Sequence, residues 1–90
     1  MGWVVYILRC KDSSLYTGIT DDLKRRFAAH RAGKGAKYTR GRGPLTLVYS
    51  VVVADRSAAL KEERRLKKLS RIQKEKLIGH GIPGIPKDPD

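Results

Sequence analysis

Two β-prone segments near the N-terminus constrain the fold more than any other feature of the chain. Residues 3–9 read WVVYILR, residues 15–20 read LYTGIT, and the polar segment KDSS lies between them at 11–14. β-Branched and aromatic residues favour strands, and a short polar segment between two strands favours a turn. The sequence therefore predicts an antiparallel hairpin, and its first strand should be covered on both faces because it is almost entirely apolar. Such a hairpin would place Tyr6 and Tyr16 side by side.

The rest of the chain predicts one more strand, three helices and a loop. Residues 45–54, LTLVYSVVVA, have the composition of a strand, and the helical segments are 21–31, 57–69 and 71–78. Residues 32–44 predict a basic, glycine-rich loop. We expect one domain over residues 1–79, followed by a flexible Gly/Pro-rich tail over 80–90.

Side chains that can accept a hydrogen bond stand where these helices should begin. Thr20 or Asp21 can cap the first helix, whose first turn would hold the acidic residues that suit the helix dipole. Asp55 or Ser57 can cap the second helix. Ser70 is a possible break or cap between the second helix and the third.

The charge balance indicates the class of partner. The 90 residues include 20 Lys and Arg against 9 Asp and Glu, a formal net charge of +11. A small domain with this charge attracts polyanions, so nucleic acid is the first candidate partner and an anionic membrane surface the second. No apolar stretch is long enough to span a bilayer, and the N-terminus lacks the pattern of a signal peptide. We therefore expect a soluble, cytoplasmic protein that does not act at a membrane.

Cysteine and histidine content excludes two ways of stabilising a small domain. Cys10 is the only cysteine, so no internal disulfide can form. One thiol and two histidines are too few ligands for a structural zinc site. The fold must therefore depend on a modest hydrophobic core.

The first predicted helix turns two polar side chains toward the sheet. Leu23 and Phe27 define its apolar stripe, and Arg26 and His30 fall on or beside that stripe. A guanidinium brought near a core needs an anionic partner, from the protein or from a ligand. The alternative is an arginine at the edge of the stripe, whose stem packs while its charged group reaches water.

The second predicted helix offers an acidic residue in the same way. Glu63 lies on a stripe with Ala59 and Leu66, and Glu62 lies on an overlapping stripe with Leu66 and Leu69. Periodicity alone leaves open which glutamate faces the sheet, and both could instead be solvated and paired with nearby bases. An inward carboxylate would be the only plausible anchor for a hard cation such as Mg²⁺.

Three further features have an ordinary structural interpretation and a functional one. The four tyrosines, taken alone, are best interpreted as core aromatics, Tyr38 and Tyr49 included. Gly18 weakens its strand, and a glycine there often marks a bulge or a place where something approaches the backbone closely. The segment GAKYTRGRG is either a solvated flexible loop or a phosphate-binding loop, with Lys37, Arg40 and Arg42 as the candidate nucleic-acid contacts.

Five separated motifs together resemble those of the GIY-YIG nuclease domain family. They are VVY at 4–6, YTG at 16–18, an Arg eight residues after that glycine, a His one turn further, and a Glu on a later helix in ALKEERRLK. The resemblance covers roughly residues 2–78 and is greatest to small single-domain members, in which YTGIT, DLKRR and GAKYTRGRGP recur almost unchanged. Two departures are that GIY is here Val4-Val5-Tyr6, and that the late Asn of many family nucleases is missing, because the chain contains no Asn.

The resemblance implies a fold, a reaction and a set of site residues. The implied fold is α/β (α+β), a small three-stranded antiparallel sheet flanked by helices. The implied reaction is hydrolysis of phosphodiester bonds, assisted by one divalent ion, Mg²⁺ or Mn²⁺, with no small-molecule cofactor. The family positions fall on these residues: the two motif tyrosines on Tyr6 and Tyr16, the glycine on Gly18, the helical arginine and histidine on Arg26 and His30, and the metal-binding glutamate on Glu63.

These residue types suit the implied chemistry. A phenol of pKa about 10 is a poor base at pH 7, but a guanidinium and a metal-bound phosphate would favour its anion, so Tyr6 could take a proton from water. Tyr16 would hydrogen-bond the phosphate or the water, and Arg26 would neutralise charge on the phosphoryl oxygens. His30 could accept or relay a proton, and Glu63 would hold the metal ion.

Three functions follow from these features. The first is an endonuclease acting on branched, damaged or single-stranded DNA, with weak sequence specificity or with specificity supplied by a protein partner. The second is a module that binds DNA or RNA with little or no cleavage, which the net charge alone would support. The third is a small basic protein that docks onto another protein. An inward Glu63 separates the first two, because a carboxylate among phosphates repels them unless a metal ion lies between.

Overall fold

The computed structural model describes residues 2–79, so the predicted flexible tail lies outside the described residues. The strands are β1 (Trp3–Arg9), β2 (Leu15–Thr20) and β3 (Thr46–Val53), and the helices are α1 (Leu23–Arg31), α2 (Arg56–Lys67) and α3 (Arg71–Gly79). One antiparallel sheet has the order β2-β1-β3. The predicted fold class, a three-stranded antiparallel sheet flanked by helices, is confirmed.

The predicted hairpin is formed by β1 and β2. Tyr6 lies opposite Gly18 and Leu8 opposite Tyr16, so both phenols are on the same face of the sheet. The Asp12 carboxylate accepts a hydrogen bond from the Ser14 backbone N–H (3.0 Å) and closes the turn. β1 is the central strand, and the four residues at its middle, 5–8, are each at most 1% exposed. Burial of both faces, as the apolar run predicts, is therefore observed.

The two faces of β1 contribute to two separate hydrophobic clusters. Val5 and Ile7 pack against Ala59 and Leu66 of α2. Tyr6 and Leu8 face the other way, where the partly buried neighbours include Leu23 and Phe27 of α1. Each fully buried aliphatic or aromatic side chain contributes about 1.5–3 kcal/mol, so both faces are needed to hold so small a sheet. Since Tyr6 is on the α1 face, the residues of α1 decide its surroundings.

The first helix begins later than the sequence predicts. α1 starts at Leu23, and its cap is Asp22, whose carboxylate accepts a hydrogen bond from the Arg25 N–H (3.2 Å). The prediction of a start at residue 21, with Thr20 or Asp21 as the cap and acids in the first turn, is therefore wrong. Thr20 instead accepts a hydrogen bond from the Asp22 N–H (3.0 Å), which keeps both aspartates ahead of the helix.

The later helices follow their predicted caps more closely. Asp55 caps α2 by accepting a hydrogen bond from the Ala58 N–H (2.8 Å). α2 ends at Lys67, two residues earlier than predicted. Ser70 both separates the helices and caps α3, because it exchanges hydrogen bonds with Gln73 (3.2 and 2.9 Å) in a capping box.

An ion-pair network attaches α3 to the hairpin. Arg9 of β1 donates two hydrogen bonds to the Glu75 carboxylate (2.9 and 2.6 Å), and Arg71 donates to the Ser13 carbonyl (2.7 Å). Because the pairing with Arg9 is bidentate, it fixes the direction of α3 as well as its position. In the part of the chain that the structure describes, no helix is long and apolar enough to cross a membrane.

Candidate active site

Tyr6 and Tyr16 form the base of the candidate site. Their ring centroids are 6.4 Å apart and the rings are inclined by 50°. Gly18 lies under the first ring, since a β-carbon there would be 2.6 Å from the Tyr6 hydroxyl and 3.0 Å from the Tyr16 ring. The close approach that Gly18 predicts is thus made by the Tyr6 phenol. Contact of Gly18 with nucleic acid stays a prediction.

His30 reaches Tyr6 from the last turn of α1. Its side chain is 2% exposed, and a hydrogen bond of 2.9 Å joins its Nε2 to the Tyr6 hydroxyl. Burial, followed by the positive charge of Arg26, lowers the pKa of His30 below its ordinary value. The imidazole is therefore neutral at pH 7 and can accept a proton. The structure places His30 where the sequence predicted, facing the sheet.

Arg26, one turn before His30, lies beside both phenols. Its interaction with the Tyr6 hydroxyl, followed by electrostatic interaction with Tyr6 and Tyr16, raises the pKa of the guanidinium above its ordinary value. The side chain is half-buried, which distinguishes it from the exposed Lys24 and Arg25 beside it. Arg26 thus places a fixed positive charge near the two hydroxyl groups.

Tyr6 itself is protonated in the free protein. Burial raises the pKa of Tyr6 above 10, and the nearby Arg26 opposes that rise only in part. The neighbouring Tyr16 and the charge of Glu63 raise the Tyr6 pKa further. The guanidinium alone therefore does not generate the phenolate that the chemistry predicted for this residue, so proton removal needs a second group.

The two adjacent glutamates of α2 have different surroundings. Glu62 accepts two hydrogen bonds from Arg65 (both 2.7 Å), and its charge acts on Tyr49, which packs on the α2 face. Glu63 is half-buried, has only a 3.4 Å contact with the Lys67 ammonium, and is near enough to Tyr6 for its charge to raise the pKa of that phenol. Of the two carboxylates, the one whose charge acts on Tyr6 is thus the one that the family resemblance implies.

The donors at the site suit a hard divalent cation with few protein ligands. Among the described residues, no cluster of three or more His, Cys, Asp or Glu side chains could hold a metal ion. One loosely paired carboxylate is the arrangement that Mg²⁺ accepts, because Mg²⁺ keeps most of its water ligands. Glu63 therefore fits Mg²⁺ and does not fit Zn²⁺, which requires three or four protein ligands.

The basic loop contributes a stacked row of side chains next to Tyr16. Tyr38 stacks on Tyr16 (ring centroids 5.8 Å apart, inclined by 27°), and the Arg42 guanidinium lies 4.4 Å from the centre of the Tyr38 ring. Arg42 also pairs with Asp12 at 2.7 Å. Tyr38 is 41% exposed, so its interpretation as a core aromatic was wrong. Of the three predicted nucleic-acid contacts, Lys37 and Arg40 are exposed and Arg42 is already partnered.

A basic cavity adjoins the same phenols. It measures about 240 Å³, and its lining includes the aromatic residues Tyr16 and Tyr38 together with Lys67 and Lys74. Aromatic walls and ammonium groups are complementary to the bases and phosphates of a nucleic acid strand.

Sequence reasoning missed two residues that contact His30. The Thr39 hydroxyl lies 2.8 Å from His30 Nδ1, and Thr39 is 2% exposed. The α-carbon of Gly35 lies so close to the imidazole that an added β-carbon would be 2.7 Å from Cγ of His30. Both residues belong to the segment interpreted as a loop, in which residues 37–39 form a short 3₁₀ turn. No periodic pattern marks such residues, because their role depends on how the segment after α1 folds back onto His30.

Comparison with known proteins gives matches over almost the whole described region. The sequence profile of the GIY-YIG catalytic domain matches residues 2–76. The UPF0213 protein YhbQ of Escherichia coli (strain K12) is 53% identical over 79 residues, which are 88% of this chain and 79% of that protein. A UPF0213 protein of Cronobacter sakazakii is 55% identical over 76 residues, which are 84% of this chain and 80% of that protein.

Two solved structures share the fold. The solution NMR structure of a UPF0213 protein from Bacillus halodurans is 51% identical, with a TM-score of 0.56, and covers 87% of this chain and 83% of that chain. The solution NMR structure of a protein from E. faecalis is 39% identical, with a TM-score of 0.61 and the same coverage. The family profile, which spans residues 2–76, includes the sheet, α1 and α2.

Proposed function

The chain belongs to the GIY-YIG nuclease domain family, and from this membership we propose that it is a metal-dependent endonuclease that hydrolyses phosphodiester bonds of DNA. The observation that carries the proposal is the hydrogen bond between a buried, neutral His30 and the Tyr6 hydroxyl, in contact with a guanidinium. A structural core needs none of these polar groups, whereas hydrolysis of a phosphodiester needs a proton acceptor and charge stabilisation at one point.

Tyr6 and His30 act together as the base. As the water oxygen attacks phosphorus, the water proton passes to the Tyr6 oxygen and the Tyr6 proton passes to Nε2 of His30. The P–O bond to the leaving sugar oxygen breaks with its electron pair, and that oxygen takes a proton from solvent. This division of labour overcomes the raised pKa of Tyr6, because free phenolate never has to accumulate.

Arg26 and Tyr16 stabilise and position the phosphate. Arg26 keeps its positive charge at every working pH, and its interaction with both phenols suits the charge that develops on the phosphoryl oxygens. Tyr16 donates a hydrogen bond to the phosphate or to the attacking water. The 240 Å³ cavity next to Tyr16 supplies ammonium groups for the adjoining nucleotide.

Glu63 is the residue that would hold one Mg²⁺ or Mn²⁺ ion. A bound divalent ion supplies Lewis-acid stabilisation of the negative charge on the leaving oxygen. The loose 3.4 Å contact between Glu63 and Lys67 leaves the carboxylate free for this use. An inward carboxylate with no cation would weaken phosphate binding, so a module that only binds nucleic acid has no reason to place one here.

Weak sequence specificity accompanies this chemistry. Exposed lysines and arginines contact phosphates, which are the same at every sequence. We propose that selectivity comes from the shape of branched, damaged or single-stranded DNA, or from a protein partner, and that the role is in DNA repair or processing.

The experiment that tests the proposal compares two neighbouring glutamates. Duplex, single-stranded, flapped and junction DNAs and one RNA are incubated with the wild type, Glu63→Gln and Glu62→Gln, in Mg²⁺, Mn²⁺ or EDTA. Cleavage should need a divalent ion, fall by about 10²-fold or more in Glu63→Gln, and persist in Glu62→Gln. DNA binding in EDTA should not be weakened by Glu63→Gln, because the substitution removes a negative charge that repels phosphate. Binding without cleavage by the wild type would favour the binding module, and equal cleavage by both variants would contradict the metal site.

A further inference from the structure

We propose that Thr39 is a positioning residue that fixes the tautomer of His30, so that the Nε2 lone pair faces the Tyr6 hydroxyl. The inference deepens the proposed nuclease function and rests on it. Thr39 would never touch the substrate, and it would act only through the imidazole.

The Tyr6 hydroxyl is the first of four groups in a continuous hydrogen-bonded chain. The others are the His30 imidazole, the Thr39 hydroxyl and the Ala36 carbonyl. The Tyr6 hydroxyl lies 2.9 Å from His30 Nε2, and His30 Nδ1 lies 2.8 Å from the Thr39 hydroxyl oxygen. The Thr39 hydroxyl is in turn 2.9 Å from the carbonyl oxygen of Ala36. Tyr6, His30 and Thr39 are each at most 2% exposed, so water does not compete for these bonds.

The carbonyl at the end of the chain determines the direction of every bond. A carbonyl oxygen can only accept, so the 2.9 Å bond to the Ala36 carbonyl uses the one proton of the Thr39 hydroxyl. The Thr39 oxygen is then an acceptor toward His30, and Nδ1 must carry the proton. In a neutral imidazole this leaves Nε2 without a proton, and Tyr6 must be the donor of the bond that joins them.

The alternative tautomer would remove the proposed base. With the proton on Nε2, His30 would donate to Tyr6 and have no lone pair to receive the phenol proton. Both tautomers are close in free energy for an isolated imidazole, so the environment decides between them. Here the deciding group is the Thr39 hydroxyl, which belongs to the 3₁₀ turn.

The same loop also holds the plane of the ring. The backbone at Gly35 lies against the imidazole, and an added β-carbon would be within 2.8 Å of both Cγ and Cε1 of His30. Gly35 and Thr39 thus contact the ring on one edge and leave its other nitrogen directed at Tyr6. The glycine-rich loop, whose basic residues indicate phosphate binding, therefore has a second role that concerns only His30.

The first test reads the tautomer directly in the full-length chain. Nitrogen-15 NMR distinguishes a ring nitrogen that carries a proton from one that does not, and each is assigned from its couplings to the ring carbon-bound protons. The wild type at pH 7 should show protonated Nδ1 and unprotonated Nε2. Thr39→Val, which keeps the shape and removes the hydroxyl, should give a mixture of tautomers. Protonated Nε2 in the wild type would overturn the proposal without any variant being made.

The second test compares the variants in DNA cleavage with Mg²⁺. Thr39→Val should lower kcat on the order of 10- to 100-fold, as loss of a residue that orients a functional histidine does. KM should change less than twofold because Thr39 contacts no substrate, and Thr39→Ser should restore kcat because the acceptor returns. Thr46→Val, the same substitution at an exposed position of β3, serves as the control.

The two tests separate this inference from the proposed function. A wild type that shows the predicted tautomer but cleaves nothing would contradict the nuclease function and leave the role of Thr39 intact. Cleavage that Thr39→Val leaves unchanged would contradict the positioning role and leave the nuclease function intact. If Thr39→Val does not fold, as judged by circular dichroism, the wild-type tautomer still decides, because protonated Nδ1 supports the inference and protonated Nε2 overturns it.

Discussion

The Tyr6 phenol occupies the space that a side chain at Gly18 would fill. The two residues are paired across the β1–β2 ladder, and a β-carbon at Gly18 would be 2.6 Å from the Tyr6 hydroxyl and 2.8 Å from the ring carbon that carries it. Every ordinary side chain at position 18 would therefore push the phenol away from His30. The glycine of the YTG motif is in this way as necessary to the site as the tyrosines are.

Gly18→Ala should disturb both stability and the geometry of the site. We expect a loss of about 1–3 kcal/mol in the free energy of unfolding, because the added methyl overpacks a buried position. The cleavage rate should also fall, and by more than the loss of folded protein explains, because the Tyr6 hydroxyl must move. Urea unfolding and the cleavage assay measure the two effects.

A matched control for Gly18→Ala is Gly79→Ala, since no described atom lies within 4 Å of a β-carbon at that residue. Gly79→Ala should leave both quantities close to the wild-type values. A Gly18→Ala variant with wild-type activity would show that Tyr6 does not need its present position.

Tyr6→Phe should abolish cleavage and also cost some stability. The substitution removes the donor to His30 and leaves a buried acceptor unpaired, which costs about 1–3 kcal/mol. Tyr49→Phe is the control, because Tyr49 packs on the α2 face of the sheet, away from α1. Thermal unfolding and cleavage rates should be close to the wild-type values in Tyr49→Phe, and both should be lower in Tyr6→Phe. Retained cutting by Tyr6→Phe would remove Tyr6 from the proposed chemistry.

The ion pair between β1 and α3 predicts a pH-dependent part of the stability. Hydrogen bonds from Arg9 lower the pKa of Glu75 from 4.5 to about 2. A carboxyl group whose pKa is lower in the folded state stabilises the fold above its unfolded pKa, and this contribution is lost as the pH falls toward the folded value. The window is therefore about pH 4.5 down to about 2.

Glu75→Gln tests this window by urea unfolding at pH 7 and at successively lower pH. At pH 7 the variant should be less stable by about 0.5–1 kcal/mol, a small value because the pair is partly exposed and screened. The difference should shrink below pH 4.5 as the wild type loses its own contribution. Arg9→Met and the double variant complete a mutant cycle. A difference that grew in acid would have the wrong sign for this mechanism.

The three basic residues of the loop should contribute unequally to nucleic acid binding. Lys37 and Arg40 are exposed, whereas Arg42 is paired with Asp12 and lies on Tyr38. Replacing Lys37 or Arg40 with Ala should weaken DNA binding alike for all sequences and reduce the slope of log K against log[salt] by about 1 each. Arg42→Ala should change that slope less, because Asp12 already neutralises its charge. Fluorescence anisotropy in EDTA at several salt concentrations measures the slopes, and equal slopes for the three variants would contradict the unequal roles.

Much of the architecture could be predicted because it depends on local patterns. The apolar run of β1, the turn at Asp12, and the caps at Asp55 and Ser70 each act within a few residues, so a short window of sequence contains the cause. The start of α1 could not be predicted in the same way. Thr20, Asp21 and Asp22 can all act as caps. Asp22 is the cap because β2 continues to Thr20 and the helix begins only at Leu23.

The candidate site divides along the same line. Helical periodicity was enough to direct Arg26 and His30 toward the sheet, since both lie beside Leu23 and Phe27. Periodicity could not choose between Glu62 and Glu63, because their stripes overlap and only the packing of α2 on β1 and β2 separates them. The interpretation of all four tyrosines as core aromatics, made from residue type alone, fails for Tyr38, because the loop places that ring on the surface against Tyr16.

The sequence by itself determined the hairpin, the inward face of α1 and the basic character of the domain, because each depends on the spacing or the sum of residues along the chain. Only the tertiary structure decided that burial keeps Tyr6 protonated, that the charge of Glu63 acts on Tyr6, and that Thr39 and Gly35 contact His30. Those properties depend on the loss of water around a side chain and on contacts that neither helical nor strand periodicity encodes. The order of residues along the chain does not show the burial or the contacts, because both exist only once the sheet, α1 and the loop have packed together.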